Sequence, residues 1–195
     1  RPVVCIASSM AGEDEQFIAA HLRVQQRLRA LGGPPPLFVH VPRSPQRFDL
    51  VHDMLCQTGL RTLRRSRCLD AQLAWTGPQS IDEADVLLGD SMGEMFAWYA
   101  MADVAIVGGS LLPFGAQNLI EACAVGTPVV LGPSTFNFAE AAEQALSAEA
   151  AFQCADAVAA VGAALRLAGD PAARADASRR ATEFAAAHRG ATQRT

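Results

Sequence analysis

Short polar or glycine-rich segments follow apolar runs at five places in this chain, and they carry the residue types that bind anions and nucleosides. Ser8-Ser9 follows Val3-Val4-Cys5-Ile6-Ala7, and Pro42-Arg43 follows Leu37-Phe38-Val39-His40-Val41. Gly89-Asp90-Ser91-Met92-Gly93-Glu94 follows Ala84-Asp85-Val86-Leu87-Leu88. Gly108-Gly109-Ser110 follows Val104-Ala105-Ile106-Val107, and Gly132-Pro133 follows Pro128-Val129-Val130-Leu131. Bare amides in Gly108, Gly109 and Ser110, ahead of a helix, suit a phosphate; ordinary turn glycine is the other reading. The spacing is neither G-x-G-x-x-G nor a Walker A loop, which argues against a dinucleotide or an NTPase. Glu121 lies one helical turn after Asn118, where a carboxylate can accept hydrogen bonds from two ribose hydroxyls. An acid that stabilises a helix start fits there too. Gly93 permits close approach of a ligand, and Met92 offers an adaptable apolar face to a base. A helix start with Glu94 as a capping acid reads equally well. Arg43 suits a phosphate or a base edge, or an ordinary surface charge.

Other chemistry finds less support. Glu13, Asp14 and Glu15 offer no defensible paired-carboxylate geometry, and no Ser–His–Asp or Cys–His arrangement is legible. The four histidines (21, 40, 52 and 188) lack metal-ligand spacing. We therefore expect no metal and no cofactor in this chain.

The elements that must position these loops alternate between strand and helix. Strands are expected over 3–8, 37–41, 60–66, 84–88, 104–107, 128–131 and 151–154. Helices are expected from 12 to the Gly32-Gly33 and Pro34-Pro35-Pro36 stop, and over 45–58, 93–102, 118–124, 137–147, 155–168 and 171–187. Residues 67–83 read as a loop. This is the pattern of a doubly wound, Rossmann-like α/β fold with a parallel sheet, in which ligands gather beyond the carboxyl ends of the strands. The 195 residues, 50% of them hydrophobic, are enough for one domain with a sizeable core. No apolar run approaches the roughly 18 residues of a transmembrane helix. Arg1-Pro2 leads straight into the first strand, which reads as no signal peptide and as a piece of a longer protein. Five cysteines without a Cys-x-x-Cys pair imply a reducing, cytoplasmic setting without disulfides.

All 16 basic residues are Arg, and six of them (Arg43, Arg47, Arg61, Arg64, Arg65 and Arg67) fall within 25 residues. Such a cluster is either a solvated face or a patch for an anionic ligand or membrane head groups. The net charge of −4 argues against general nucleic-acid binding.

Four ordered motifs resemble one family. Val41-Pro42-Arg43-Ser44-Pro45-Gln46-Arg47-Phe48 is similar to its Pro-Arg-His-Pro-Glu-Arg-Phe stretch, and Gly89-Asp90-Ser91-Met92-Gly93-Glu94 to its Gly-Asp-Thr-Met-Gly-Glu segment. Ala102 to Leu111, with Gln117-Asn118-Leu119-Ile120-Glu121, resembles its Ala-Asp-x-Ala-Phe-Val-Gly-Gly-Ser-Leu and His-Asn-Pro-Leu-Glu segments. Gly132-Pro133-Ser134-Thr135-Phe136-Asn137-Phe138 resembles its Gly-Pro-His-Thr-Phe-Asn-Phe. The family is that of the 3-deoxy-D-manno-octulosonic acid (Kdo) transferases of lipopolysaccharide synthesis.

The resemblance implies the C-terminal, donor-binding domain of a two-domain GT-B glycosyltransferase. Residues 1–187 would form that domain and 188–195 a frayed tail, with the N-terminal acceptor domain absent. It implies that Pro42, Arg43, Met92, Gly93, Glu94, Asn118, Leu119, Ile120 and Glu121 contact the CMP of the donor CMP-Kdo. The family's general base, a Glu of the N-terminal domain, has no match here, so this chain by itself would be inactive and soluble. The full enzyme would transfer Kdo to a lipid A precursor in peripheral contact with the cytoplasmic face of the bacterial inner membrane. Met10, Ser44, Gln117 and Ser134 stand where the family often has His, Ala116 stands for Gly and Leu119 for Pro. These departures bear on contacts to the donor sugar more than on CMP. The competing readings are another GT-B enzyme acting on a UDP-sugar, and a non-catalytic α/β interaction domain.

Overall fold

The computed structural model describes residues 1–32 and 35–192. In chain order the elements are β1 (Val3–Ser9), α1 (Glu13–Ala30), β2 (Leu37–Pro42), α2 (Phe48–Gln57), β3 (Thr62–Arg64), α3 (Arg65–Cys68), β4 (Val86–Leu88), α4 (Met95–Met101) and β5 (Val104–Val107). Then follow α5 (Ile120–Ala124), β6 (Val129–Leu131), α6 (Ala139–Ser147), β7 (Ala151–Gln153), α7 (Ala157–Ala168) and α8 (Pro171–Thr192). All strand pairs are parallel, in the order β3-β4-β2-β1-β5-β6-β7. The chain builds outward from β1 in one direction, then returns past it to place β5 on the other side. The strand order therefore reverses at β1 and β5, the kind of switch point near which ligands gather in open α/β sheets.

The strands read as nearly unbroken apolar runs because both sheet faces are covered. Successive side chains point to opposite faces. Cys5, Ala7, Val39, Val41, Ala105 and Val107 pack with Trp98, Tyr99, Leu119 and Phe184. Val4, Ile6, Phe38, Val104 and Ile106 face the other way, against Phe17 and Ala20 of α1 and Ala160, Val161 and Ala164 of α7. Asp156 caps α7 by accepting from the Ala159 N–H at 2.8 Å. The five cysteines are free thiols, and burial pushes the Cys123 thiol up to about 12. Among the described residues no helix is long and apolar enough to cross a membrane.

The differences from the sequence reading lie at element ends. The expected strand over 60–66 is only Thr62–Arg64, because the chain turns into α3 where Arg65 and Ser66 reach across to a neighbouring loop. The 67–83 segment is not featureless: Leu69 bridges Trp75, and Ile81–Glu83 forms a 3-10 turn capped by Ser80. The tail expected to fray from His188 continues α8 as far as Thr192. The Gly33 and Pro34 part of the expected stop after α1, and residues 193–195, lie outside the described residues.

Candidate functional site

The carboxyl edge of the sheet is organised by an irregularity at Ser8. Its φ of +55° and a break in pairing register between Ala7 and Ser9 turn consecutive serines to different surroundings. The Ser8 hydroxyl lies 3.9 Å from the Met95 sulfur, on a small cleft of about 40 Å³. Ser9 is fully buried, its hydroxyl 2.5 Å from Asp14 Oδ1 and 3.1 Å from His40 Nε2.

That cleft assembles five residues expected to meet a nucleotide: Pro42 and Arg43 from the end of β2, and Met92, Gly93 and Glu94 from the turn before α4. Met92 is exposed, and Gly93 adopts a φ of +79° with open space where a side chain would stand. Ser8, Ser91, Met95 and Trp98 also line the cleft; Ser8 and Ser91 lie in the strand-end segments that the sequence points to, whereas Met95 and Trp98 carry no such signal. Trp98 is itself buried in the core, and Met95 is half-buried.

The second group surrounds the start of α5. Arg43 Nε donates to Gln117 Oε1 at 3.0 Å, which joins this group to the cleft. Gln117, which stands where the resemblance has His, thus engages Arg43 as a neutral acceptor. Asn118 caps the turn by accepting from the Ile120 N–H at 3.0 Å, and its own amide donates to Glu121 Oε1 at 3.0 Å. Glu121 is half-buried and keeps its second oxygen free of partners among the described residues. The N–H groups of Asn118 and Leu119 have no protein acceptor among the described residues. The Leu119 side chain is fully buried in the core, so its expected contact is confined to the main chain.

The glycine loop is the main correction. The Gly108 N–H donates to Ala7 O at 2.7 Å, and the Gly109 N–H donates to Glu13 Oε2 at 2.7 Å. The Ser110 hydroxyl is buried, donating to Val107 O and accepting from the Gly132 N–H at 2.8 Å. Glu13 also accepts from the N–H groups of Leu111 at 2.9 Å, Leu112 at 3.4 Å and Met10 at 3.0 Å. Of the expected phosphate loop Gly108, Gly109 and Ser110, the Gly109 amide is thus taken by the protein's own carboxylate, the Gly108 amide by a strand carbonyl and the Ser110 hydroxyl by the main chain. An internal acid does there what a bound anion does elsewhere.

The Arg cluster is corrected in the same way. Arg47, Arg61, Arg64 and Arg65 pair with Asp14, Asp85, Asp90 and Glu94 respectively, with N···O distances of 2.5, 3.4, 2.6 and 2.6 Å. Arg47, Arg64 and Arg65 tie loops together at the carboxyl edge, while Arg61 pairs at the amino ends of β3 and β4, so these four form no open patch. A Ser–His–Asp grouping does exist, in Ser9, His40 and Asp14, but it is not a nucleophilic triad. The serine hydroxyl and His40 Nε2 both meet one oxygen, Asp14 Oδ1, with His40 at 2.8 Å, and all three side chains are buried.

Burial raises the Asp14 carboxyl, but hydrogen bonds from His40, Ser9 and Arg47 outweigh it and leave Asp14 below the usual carboxylate range. Asp90 is likewise lowered on balance, with burial opposed by Ser66 and Arg64. A depressed folded pKa contributes stability that is present above the unfolded value of about 4 and is lost as pH falls through the folded value. We therefore expect stability to the denaturant urea to fall steeply below about pH 4. Asp14→Asn should be less stable at pH 7 and show a shallower acid limb. Parallel wild-type and variant curves from pH 7 to 2 would remove Asp14 from this linkage.

No family model matches the chain. It is 49% identical over 195 residues to a curated 3-deoxy-D-manno-octulosonic acid transferase of Bordetella pertussis, which takes in 100% of the chain and 43% of that protein. A Haemophilus influenzae protein of the same name is 37% identical over 140 residues, 72% of the chain and 30% of its own length. The chain thus spans less than half of these relatives. The crystal structure of the C-terminal CMP-Kdo binding domain of WaaA from Acinetobacter baumannii superposes with a TM-score of 0.81 at 33% identity, covering 94% of this chain and 89% of that one. With the parallel sheet, the four motifs and the sheet-edge cleft all in agreement, the chain belongs to the 3-deoxy-D-manno-octulosonic acid transferase family, and its fold is that of the family's C-terminal domain.

Proposed function

We propose that this chain is the donor-binding half of a glycosyltransferase that moves Kdo from CMP-Kdo to a lipid A precursor in lipopolysaccharide synthesis. The observation that carries the reading is convergence: the ends of β2 and β4 form one cleft, and the Arg43–Gln117 hydrogen bond joins it to the start of α5. Five residues separated by up to 52 positions in sequence, from Pro42 to Glu94, meet there. An interaction domain has no need for such an arrangement.

In this reading the exposed Met92 and the open main chain at Gly93 receive the cytosine. Glu121 offers its free oxygen to the ribose while Asn118 holds the other. The phosphate lies between Arg43 and the unpaired amides of Asn118 and Leu119. The same groups stabilise the negative charge on CMP as it leaves. Attack by the acceptor hydroxyl needs a base that removes its proton, and we place that base outside these residues. The acceptor is a lipid, so the whole protein works in peripheral contact with the inner membrane, at its cytoplasmic face.

Calorimetric titration with CMP and UMP tests the reading. CMP is expected to bind and UMP to bind more weakly; preference for UMP would favour a UDP-sugar donor and overturn the assignment. Glu121→Ala should weaken CMP binding by about 30–150-fold, the loss of two charge-assisted hydrogen bonds worth about 2–3 kcal/mol. Unchanged affinity in a folded variant would remove Glu121 from the site.

A further inference from the structure

We infer that Arg65 is a positioning residue for nucleotide binding, holding the Ser91–Glu94 turn in the shape that receives the base. The inference rests on the nucleotide-site reading above and extends it to a segment outside the expected contacts. Arg65 donates from Nε to Glu94 Oε2 at 2.9 Å and from Nη2 to Glu94 Oε1 at 2.6 Å, a two-pronged pairing of the carboxylate. Its remaining reach goes to the main chain, with Nη1 to Leu69 O at 3.0 Å and Nη2 to Asp70 O at 2.9 Å. The Ser91 hydroxyl also donates to Glu94, closing the turn on itself.

The other end of the turn is held by the residues on either side of Arg65. Asp90 accepts from the Ser66 N–H at 2.8 Å, the Ser66 hydroxyl at 2.6 Å and Arg64 Nε at 2.6 Å. Three consecutive residues at the β3–α3 junction thus pin both ends of the 90–94 turn. Between the pins stand Met92, exposed, and Gly93, whose φ of +79° belongs to a backbone with wide freedom. A glycine-containing turn without pins would have to be ordered when the ligand arrives, at a cost to affinity; one ordered beforehand has no such cost. The pairing also assigns Glu94 a different role from ligand contact. Both of its oxygens are committed to Arg65, so the carboxylate anchors the turn and the main chain of Met92 and Gly93 faces the base. A lysine keeps the charge but cannot span two carboxylate oxygens and two carbonyls at once.

The experiment pairs CMP calorimetry with amide hydrogen exchange on wild type, Arg65→Met, Arg65→Lys, Glu94→Gln and the Arg65→Met/Glu94→Gln double variant. Arg65→Met is expected to weaken CMP by about 10–100-fold, with Lys restoring only a minor part of the loss. The double variant should bind no more weakly than Arg65→Met, because both changes break one device. The Ser91–Glu94 amides should exchange faster in Arg65→Met whether or not nucleotide is present. A folded Arg65→Met that binds CMP as wild type does would overturn the inference. Should wild type take up no CMP, the functional reading fails, and the exchange rates alone decide the clamp: equal rates at Ser91–Glu94 would overturn it. If Arg65→Met does not fold, Ser66→Ala takes its place. That variant removes one hydroxyl from Asp90 and should both speed exchange in the turn and weaken CMP, with no change in either counting against the clamp.

Discussion

Glu13→Ala is expected to cost about 3–5 kcal/mol of folding stability, among the largest effects of any single change in this chain. The side chain is fully buried and accepts from four main-chain N–H groups, of Met10, Gly109, Leu111 and Leu112. Removing it leaves those donors without an acceptor in a space too enclosed for bulk water to replace it freely. Glu13→Gln should lose less, because one carbonyl oxygen remains, but its amide group meets N–H donors head-on and cannot satisfy them all. Urea denaturation followed by circular dichroism at pH 7 measures both. A loss under about 1 kcal/mol for Glu13→Ala would mean that solvent or a rearranged loop satisfies these amides.

Gly108→Ala should be comparably severe, at least about 3 kcal/mol, because the obstacle is the backbone of the neighbouring strand. A Cβ there would stand 2.7 Å from Ser9 Cα and closer still to the Ser8 carbonyl oxygen. Neither atom can swing away as a side-chain tip does, so β1 and β5 would have to part where they pair most tightly. Gly59→Ala provides the contrast: its φ is +75° but nothing lies within 4 Å, so the cost is only the left-handed conformation, about 1 kcal/mol. Thermal melting of the two variants separates steric obstruction from conformational preference. Equal shifts would sink the close-approach account of Gly108.

The glycines of this loop therefore serve the packing of three strand ends, and that changes how the motif is read. Gly-Gly-Ser before a helix suggests a phosphate loop because the sequence displays amides without displaying what accepts from them. The acceptor, Glu13, is 96 residues away from Gly109. In the sequence it reads as one of three acids in the first turn of α1, a role that favours the helix dipole and gives no hint of a distant partner. The six clustered arginines pose the same problem. Charge is visible in the sequence, but Asp85, Asp90 and Glu94, which neutralise three of them, lie 24 to 29 residues away across the sheet.

What the sequence by itself determined is the architecture and which loops share one edge of the sheet. Short β-branched apolar runs bounded by glycine, such as Val104-Ala105-Ile106-Val107, read as strands buried on both faces, and their alternation with helices leaves few topologies open. The loops that end those strands then fall at one edge, where Pro42, Arg43, Met92, Gly93 and Glu94 line one cleft. What only the tertiary structure decided is which of those polar groups remain available. Gly109 and Glu94 are committed to Glu13 and Arg65, Ser9 and His40 converge on Asp14, and the Leu119 side chain belongs to the core. The reason is physical. Burial on a strand covered on both faces is a local property, legible as an unbroken apolar run. A hydrogen bond between segments depends on the strand order and register that bring them within 3 Å, and these are properties of the whole sheet.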